Sequence, residues 1–488
     1  MMRTGWGPTP PSRIPRGKGE DMSEQSRSAR RVVNPPSMPA PPGWSHAVAA
    51  GGWLFGGGLM ATDYRDGLRA EARTDPDRPW ASEPLDAESR LILDDLGAVL
   101  AAAGCDRRRD LVRVWQWLRA RYPDDAAYAA GQAAWPAFPS GTPYARNLGA
   151  MVGDPQRSST GIGVRQLPVP EALLSVDFIA VEPRPGVEKR GFAMPDDVPQ
   201  PKIGYSPATR IGDWVFLAGF GATDFKGDWM ATAHMGPRGM IAPEARVNPY
   251  IWLGSEIEAQ TDYTLRMMAR MAEAAGTSLD RCVKADVTVR HPSDVAGMER
   301  IWRRYFPDDP PARNLVTGAE LVIKGTRVEI AMLLLAGDSA LSRRGITLAD
   351  GPAPPGHAPH AVHAGDFLFT SGLLALDATG KVPAGWRAGA DVPHFRSPAR
   401  DQATAILDTL SRLCAEAGAS LADVCKVQAF LDDLAHLPEM LGAWREAFPH
   451  EPPALSAVAM GGGDPLIAPG AVMQWDAIVH APAGDKTA

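Results

Sequence analysis

The chain has 488 residues, 45% of them hydrophobic and 22% charged, and a formal net charge of -7. That length suggests about three domains, and the composition is ordinary for a globular protein. The mild charge, without long runs of one sign, argues against a nucleic-acid partner, which asks for a basic face. No apolar run reaches the roughly 18 residues of a membrane helix.

Residues 1–42 are dominated by Pro, Ser, Arg and Gly and read as a disordered start. Basic residues occur there without a following apolar core, so the segment does not read as a secretory signal, and Met22 is an alternative first residue. Three segments then repeat one order of features. Each opens with an apolar strand running into glycine: Gly52-Trp53-Leu54-Phe55-Gly56-Gly57-Gly58, Asp213-Trp214-Val215-Phe216-Leu217-Ala218-Gly219 and Asp366-Phe367-Leu368-Phe369-Thr370-Ser371-Gly372. Amphipathic helices are predicted over Leu85–Ala103, Glu256–Ala275 and Arg400–Ala417. Each stops at an Ala-Gly, at Gly104, Gly276 and Gly418, where glycine suits a left-handed cap.

A β-rich run follows: Leu111–Trp117, Val283–Val289 and Val424–Leu431. A shorter helix is expected around Trp135, Trp302 and Trp444, stopped by Phe138-Pro139, Phe306-Pro307 and Phe448-Pro449. Two strands close each unit, the last being Leu173–Val181, Val328–Leu335 and Val472–Val479. The repeats are therefore assigned to 43–182, 202–338 and 356–482, with linkers at 183–201 and 339–355 and a loose tail at 483–488. The order predicts an α+β module, a mixed sheet with both helices on one face. The other face needs a cover, and neighbouring modules are the economical one.

These features resemble the Rid/YjgF family of reactive-intermediate deaminases. The strand-to-glycine start, the Ala-Gly helix end and Pro311-Ala312-Arg313-Asn314 carry the likeness, over about residues 43–482. The resemblance implies three tandem chorismate-mutase-like modules arranged as a single-chain pseudo-trimer, with a cleft at each junction. That unit would be monomeric or part of a higher assembly. It also implies hydrolysis of a small-molecule imine or enamine carboxylate to a keto acid and ammonia, without metal or cofactor. Cys105, Cys282, Cys414 and Cys425 form no CxxC pair and read as buried residues of a reducing, cytoplasmic compartment.

The family's site uses an arginine clamp, a carboxylate on the last strand, a tyrosine near the first strand and a Ser-Gly at its end. In the second repeat the likeness assigns Arg313 and Glu329 to catalysis, with Tyr205, Glu299, Asn314 and Gly219 lining the pocket. In the first it assigns Arg146, within Tyr144-Ala145-Arg146-Asn147, with Trp44, Gln132, Asn147 and Gly58 around it. Ser175 takes the acid position there, and Asp177, on the same strand face, is the substitute. The third repeat keeps Ser371 and Gly372 but has Leu455, Gln474 and Ala358 for the arginine, acid and tyrosine. The principal site is thus expected around Arg313 and Glu329, with a second at Arg146 and a third repeat that completes the ring.

The chemistry suits these residues. A planar guanidinium meets a carboxylate bidentately, a nearby carboxyl moves a proton, and an activated imine needs little beyond positioning. Arg313 with Glu329 and Arg146 with Asp177 have a plainer reading as structural ion pairs, and the aromatics and Ser371 as core or turn residues. Two other functions stay open: a non-catalytic binding or protective module, and a specialised hydrolase or lyase of an aromatic or cyclic compound. Insertions at Asp63–Pro84 and Asp224–Ser255, with Pro237-Arg238-Gly239-Met240 and Tyr250-Ile251-Trp252, read as lids over clefts. His357, His360 and His363 form an HxxHxxH run whose strand-entry setting argues against a metal. Neither glycine triplet, at Gly56 or at Gly461, precedes the helix and lysine of a phosphate loop.

Overall fold

The computed structural model describes residues 30–75, 77–78, 83–119, 143–153, 157–198, 204–223, 241–248, 250–318, 320–321, 325–387, 395–460 and 466–482. The first sheet is built from β1 (Arg31–Val33), β2 (Ala47–Ala50), β3 (Trp53–Leu59), β4 (Leu111–Arg119), β5 (Ser158–Val164) and β6 (Leu174–Val181), with helices α1 (Pro84–Ala102) and α2 (Pro143–Val152). The second holds β7 (Lys189–Phe192), β8 (Ala208–Ile211), β9 (Trp214–Gly221), β10 (Cys282–Val289), β11 (Ala312–Thr317) and β13 (Val328–Leu335), with α3 (Glu256–Ala274) and α4 (Val295–Tyr305). Its short β12 (Glu320–Leu321) leaves it to pair with β5 of the first. The third holds β14 (Arg343–Ile346), β15 (Ala361–Ala364), β16 (Phe367–Thr370), β17 (Val424–Leu431), β18 (Ala454–Ala459) and β19 (Met473–His480), with α5 (Pro398–Glu416) and α6 (Leu437–Ala447).

The strand order is the same each time: β1-β2-β3-β6-β4-β5, β7-β8-β9-β13-β10-β11 and β14-β15-β16-β19-β17-β18. In each, one parallel pair (β4 with β5, β10 with β11, β17 with β18) encloses a helix, as a parallel connection requires. The Ala-Gly stops behave as read. Gly104, Gly276 and Gly418 have φ of 76°, 78° and 76°, the left-handed region where a Cβ is penalised. Ser255 and Ser397 cap α3 and α5 by accepting from the Glu258 and Arg400 amides. All four cysteines are free and buried.

Three details depart from the sequence reading. The segments taken as a disordered start and as two linkers contribute β1, β7 and β14, each an antiparallel edge strand against the module's first hairpin. An open hairpin edge exposes unpaired amides and carbonyls, and the preceding chain covers it. Residues Pro143–Val152 form a helix, so Arg146 precedes no strand; β5 begins only at Ser158. The helix expected around Trp135 lies outside the described residues.

Register makes positions comparable between modules. Arg113, Lys284 and Lys426 face Ser158, Ala312 and Ala454 across the parallel ladders and are therefore equivalent. Each reaches into another module. Lys284 Nζ donates to the Thr370 carbonyl and to Asp476 Oδ1, at 2.5 and 2.7 Å. Lys426 Nζ donates to the Gly56 carbonyl and to Asp177 Oδ1, at 2.8 and 2.6 Å. Arg113 Nη1 donates to the Leu217 carbonyl at 2.8 Å. The second module thus grips the third, the third the first, and the first the second.

An aromatic layer lies beside this ring. Trp53, Trp214 and Phe367 open the three equivalent strands, and the Trp53 ring centroid is 5.0 Å from each of the other two. Phe55, Phe216 and Phe369 form the next layer, all buried. Such ring pairs add about 0.5–1.5 kcal/mol each beyond their buried area. No helix among the described residues is long and apolar enough to cross a membrane.

Lys426 and Asp177 are 2% and 0% exposed, so removing one partner strands a buried charge. Lys426→Met should destabilise the chain by about 3–5 kcal/mol. The double change Lys426→Met with Asp177→Leu should recover most of it. Denaturant titration of both variants checks this; equal losses would contradict it.

Candidate active site at the module junctions

β11 and β13 lie on opposite sides of β10, and so face different neighbours. This separates the two residues read as one site. Arg313, on β11, lies at the junction of the second and third modules. Its amide donates to Ser371 Oγ at 2.9 Å, and the Gly372 amide donates to its carbonyl at 3.0 Å. Glu329, on β13, lies at the junction of the first and second, where its carboxylate accepts from the Gly161 amide of β5. The structure does not bring Arg313 and Glu329 together.

At the second–third junction the guanidinium already has a carboxylate. Arg313 Nη1 donates to Glu299 Oε2 at 2.6 Å, with the Arg313 side chain fully enclosed. Its Nη2 reaches the Pro355 carbonyl at 3.3 Å and the group stacks on Trp302, 4.9 Å from the ring centroid. Glu299 also accepts from the His357 amide, and Gly356, with φ of 79°, passes so close that a Cβ would strike Arg313. Across from it, Gln474 holds the acid position and donates its amide to Asn314 Oδ1 at 2.7 Å and to the Leu315 carbonyl. Arg313, Glu299, Asn314, Ser371 and Gly372, expected around sites, do assemble, with Gln474 in place of an acid at that position of the last strand.

The third–first junction is closed by apolar groups. Trp44 and Leu455, in the tyrosine and arginine positions, are buried in one cluster. Gly58 packs on Ser175 and Ser456. Arg146 is exposed on α2, 3.9 Å from Asp86, and Asn147 donates to Asp86 and Ser89 of α1; neither reaches a junction. Register shows why. Arg313 pairs with Ala285 and Ser159 with the equivalent Val114, so Ser159 holds the arginine position in the first module. Asp177 is spent in the ion-pair ring, bonded to Lys426, Gln428 and Trp117. Gln132 lies outside the described residues, as does Pro237-Arg238-Gly239-Met240. Tyr250 and Trp252, read as lid residues, are 90% and 100% exposed and cover no cleft. His357, His360 and His363 each direct Nε2 at a backbone carbonyl, those of Phe306, Pro352 and Ala481.

A small gap, partly open to solvent, lies where the first–second junction meets the third module. Glu329, Thr160, Thr288 and Asn314 supply polar groups, and Trp115, Trp117 and Phe430 the apolar wall. Gly219 leaves no room for a Cβ beside the Glu329 carboxylate and Thr160 Oγ1. Burial pushes the Glu329 carboxyl up to about 8, against the opposing pull of the Arg113 charge and the Gly161 amide. Burial, and then the charge of Glu329, raises the Tyr205 phenol above its usual range. A neutral carboxylic acid and a neutral phenol therefore share this junction at pH 7. Arg113 completes it, 2% exposed, its Nη2 3.3 Å from Thr160 Oγ1. Sequence reading missed Arg113. The signal was a cation at one place in three apolar strands, since charged residues are almost never fully buried unless paired.

A model of the family described as Endoribonuclease L-PSP matches residues 239–335 and 349–462. The 3-aminoacrylate deaminase RutC of Acinetobacter baylyi is 31% identical over 137 residues, covering 28% of this chain and 96% of that protein. A 2-iminobutanoate/2-iminopropanoate deaminase of Dermatophagoides farinae is 28% identical over 137 residues, 28% of this chain and 89% of its own. The chain belongs to this family, the Rid/YjgF proteins. Three sheets of one topology make it a tandem array of three such modules. Among solved structures, RidA of an Antarctic Psychrobacter matches at 23% identity and a TM-score of 0.22, over 28% of this chain and 98% of its own.

The raised Glu329 acidity has a stability consequence. Its folded value, about 8, exceeds the ordinary 4.5, so the native state holds a proton the unfolded chain loses. The associated stability is full below pH 4.5 and is lost as pH rises through 8. Glu329→Gln, neutral at every pH, should fall less in melting temperature than the parent between pH 5 and about 9. Parallel melting curves across that range would contradict the raised Glu329 acidity.

Proposed function

We propose that the chain is a deaminase-type hydrolase of imine or enamine carboxylates, working at the first–second junction with Glu329 as proton donor. The observation that carries this is the Glu329 carboxyl at the wall of a gap beside Thr160 and near Tyr205, its acidity pushed up to about 8. Membership of a family with deaminase-named relatives supports the reaction class.

The chemistry follows from the proton. Glu329 protonates the imine nitrogen, or the β-carbon of an enamine to give the iminium. Water adds to the imine carbon as its proton passes to the Glu329 carboxylate. The carboxyl then gives a proton to nitrogen, and as the C–N bond breaks the carbinolamine hydroxyl passes its proton back to the Glu329 carboxylate, giving the oxo acid and ammonia. Each turnover restores a protonated Glu329. The Tyr205 phenol stays neutral and can donate to the developing alcohol. The residues at this junction carry the proton steps without a nucleophile or a bound group.

Ammonia release from imino acids generated in place by an amino-acid oxidase tests this. Glu329→Gln should lower kcat by about 10²–10⁴, the usual share of a positioned proton donor. The parent rate should hold at neutral pH and decline above about 8 as Glu329 loses its proton. A rate rising through that range would contradict the assignment.

The buried Arg313–Glu299 pair supports a second reading, with chemistry at the second–third junction. Arg313→Met decides between them. Retained turnover in a folded variant favours the Glu329 junction, and loss of turnover favours the other.

A further inference from the structure

We propose that Arg113 binds the substrate carboxylate at the first–second junction, and that Ala331 is the substitution that frees it to do so. This rests on the reading of that junction as the reaction site. It assigns the anion-binding role to a strand that holds no clamp in the other two modules.

The ring of ion pairs gives the argument. Asp177 faces Trp115 across the sheet, Asp476 faces Gln428, and the third equivalent place, facing Asp286, is Ala331. Lys426 and Lys284 therefore have carboxylates at 2.6 and 2.7 Å, while Arg113 has none there. Its nearest is Asp286, at 3.6 Å and without a hydrogen bond. Arg113 Nε has no partner among the described residues, nor has Asp286 Oδ1 or the Trp115 indole nitrogen. Unmet buried donors and acceptors cost about 1–3 kcal/mol each and are rare unless something fills them.

The guanidinium is also set for recognition. It stacks on Trp115, 4.3 Å from the ring centroid, which fixes its plane. Nη1 is committed to the Leu217 carbonyl. The opposite edge, Nε with Nη2, makes one long hydrogen bond, to Thr160 Oγ1, with Asp286 Oδ2 at 3.6 Å from Nη2 and not bonded, and so keeps the fork that a carboxylate takes bidentately. Burial presses on this charge, and Asp286, Asp177 and Glu329 offset it only in part. Arg313 likewise leaves Nε unpaired, but Glu299 already occupies its fork.

Two gaps meet here. Arg113 lines one, together with Lys284, Lys426 and Asp476, and Glu329 the other; Trp115, Asp286 and Gln428 belong to both walls. A ligand with a carboxylate on Arg113 and its C=N or C=O toward Glu329 must be short, because Thr160 Oγ1 accepts from Arg113 and lies with the Glu329 carboxylate against Gly219. The class is a small 2-imino or 2-oxo monocarboxylate.

Calorimetric titration with 2-oxobutanoate as probe tests the assignment on the full chain. The parent should bind. Ala331→Asp restores the missing ring carboxylate and should weaken binding at least about tenfold by capturing Arg113. Arg113→Lys, the residue type of the other two modules, keeps the charge and loses the fork, and should weaken it similarly. Glu329→Gln should bind within about threefold of the parent while losing turnover. Unchanged affinity in either Ala331→Asp or Arg113→Lys, with the melting temperature retained, overturns the proposal, as does a parent that does not bind. A parent that binds in this pattern yet releases no ammonia sinks the hydrolase reading and leaves Arg113 as the anion site.

Discussion

Three buried cations hold this molecule together. Arg113, Lys284 and Lys426 stand at one place on three equivalent strands, and each donates to a backbone carbonyl of another module. A buried ammonium is expensive unless its protons are met, so each module's interior is incomplete until its neighbour is docked. The aromatic layer of Trp53, Trp214 and Phe367 adds apolar burial about the same centre. Ion pairs fix the order of contact and ring packing supplies much of the adhesion.

Fusion of three modules into one chain lets equivalent places diverge. The ring has two matched ion pairs and one vacancy at Ala331. The junctions differ in the same way. One is filled by Trp44 and Leu455. Another has its guanidinium satisfied internally by Glu299 and its acid replaced by Gln474. The remaining one keeps a half-buried acid, a tyrosine and a small gap. In a symmetric trimer one change alters every junction at once. Here a defect in the ring and a retained acid coincide at a single junction, and that coincidence gives it both a loosely paired guanidinium and a neutral carboxyl.

Electrostatics explains why the two groups coexist. Arg113 stabilises the ionised form of Glu329, yet burial outweighs that pull and the acid keeps its proton near neutrality. A fully formed Arg113–Glu329 pair would hold the carboxylate charged. Binding an anionic substrate on the guanidinium would withdraw part of its influence and favour the protonated acid further.

The sequence by itself determined the module and its number. Hydrophobic period, glycine stops at Gly104, Gly276 and Gly418, and the order of strands and helices are local properties, repeated three times, and they set topology. It also marked Glu329, Tyr205 and Gly219, which share a junction because all three belong to strands or approaches on one side of the second module. Only tertiary structure decided which residues meet across modules. Arg313 and Glu329 lie sixteen residues apart on strands that flank β10, and the chain order carries no record of which neighbour each strand faces. The arginine position of the first module was likewise unreadable, because the Tyr144-Ala145-Arg146-Asn147 motif looks like the strand entry and folds as a helix. Arg113 and Ala331 gain meaning only through register, where one lacks the partner that the other's equivalents provide.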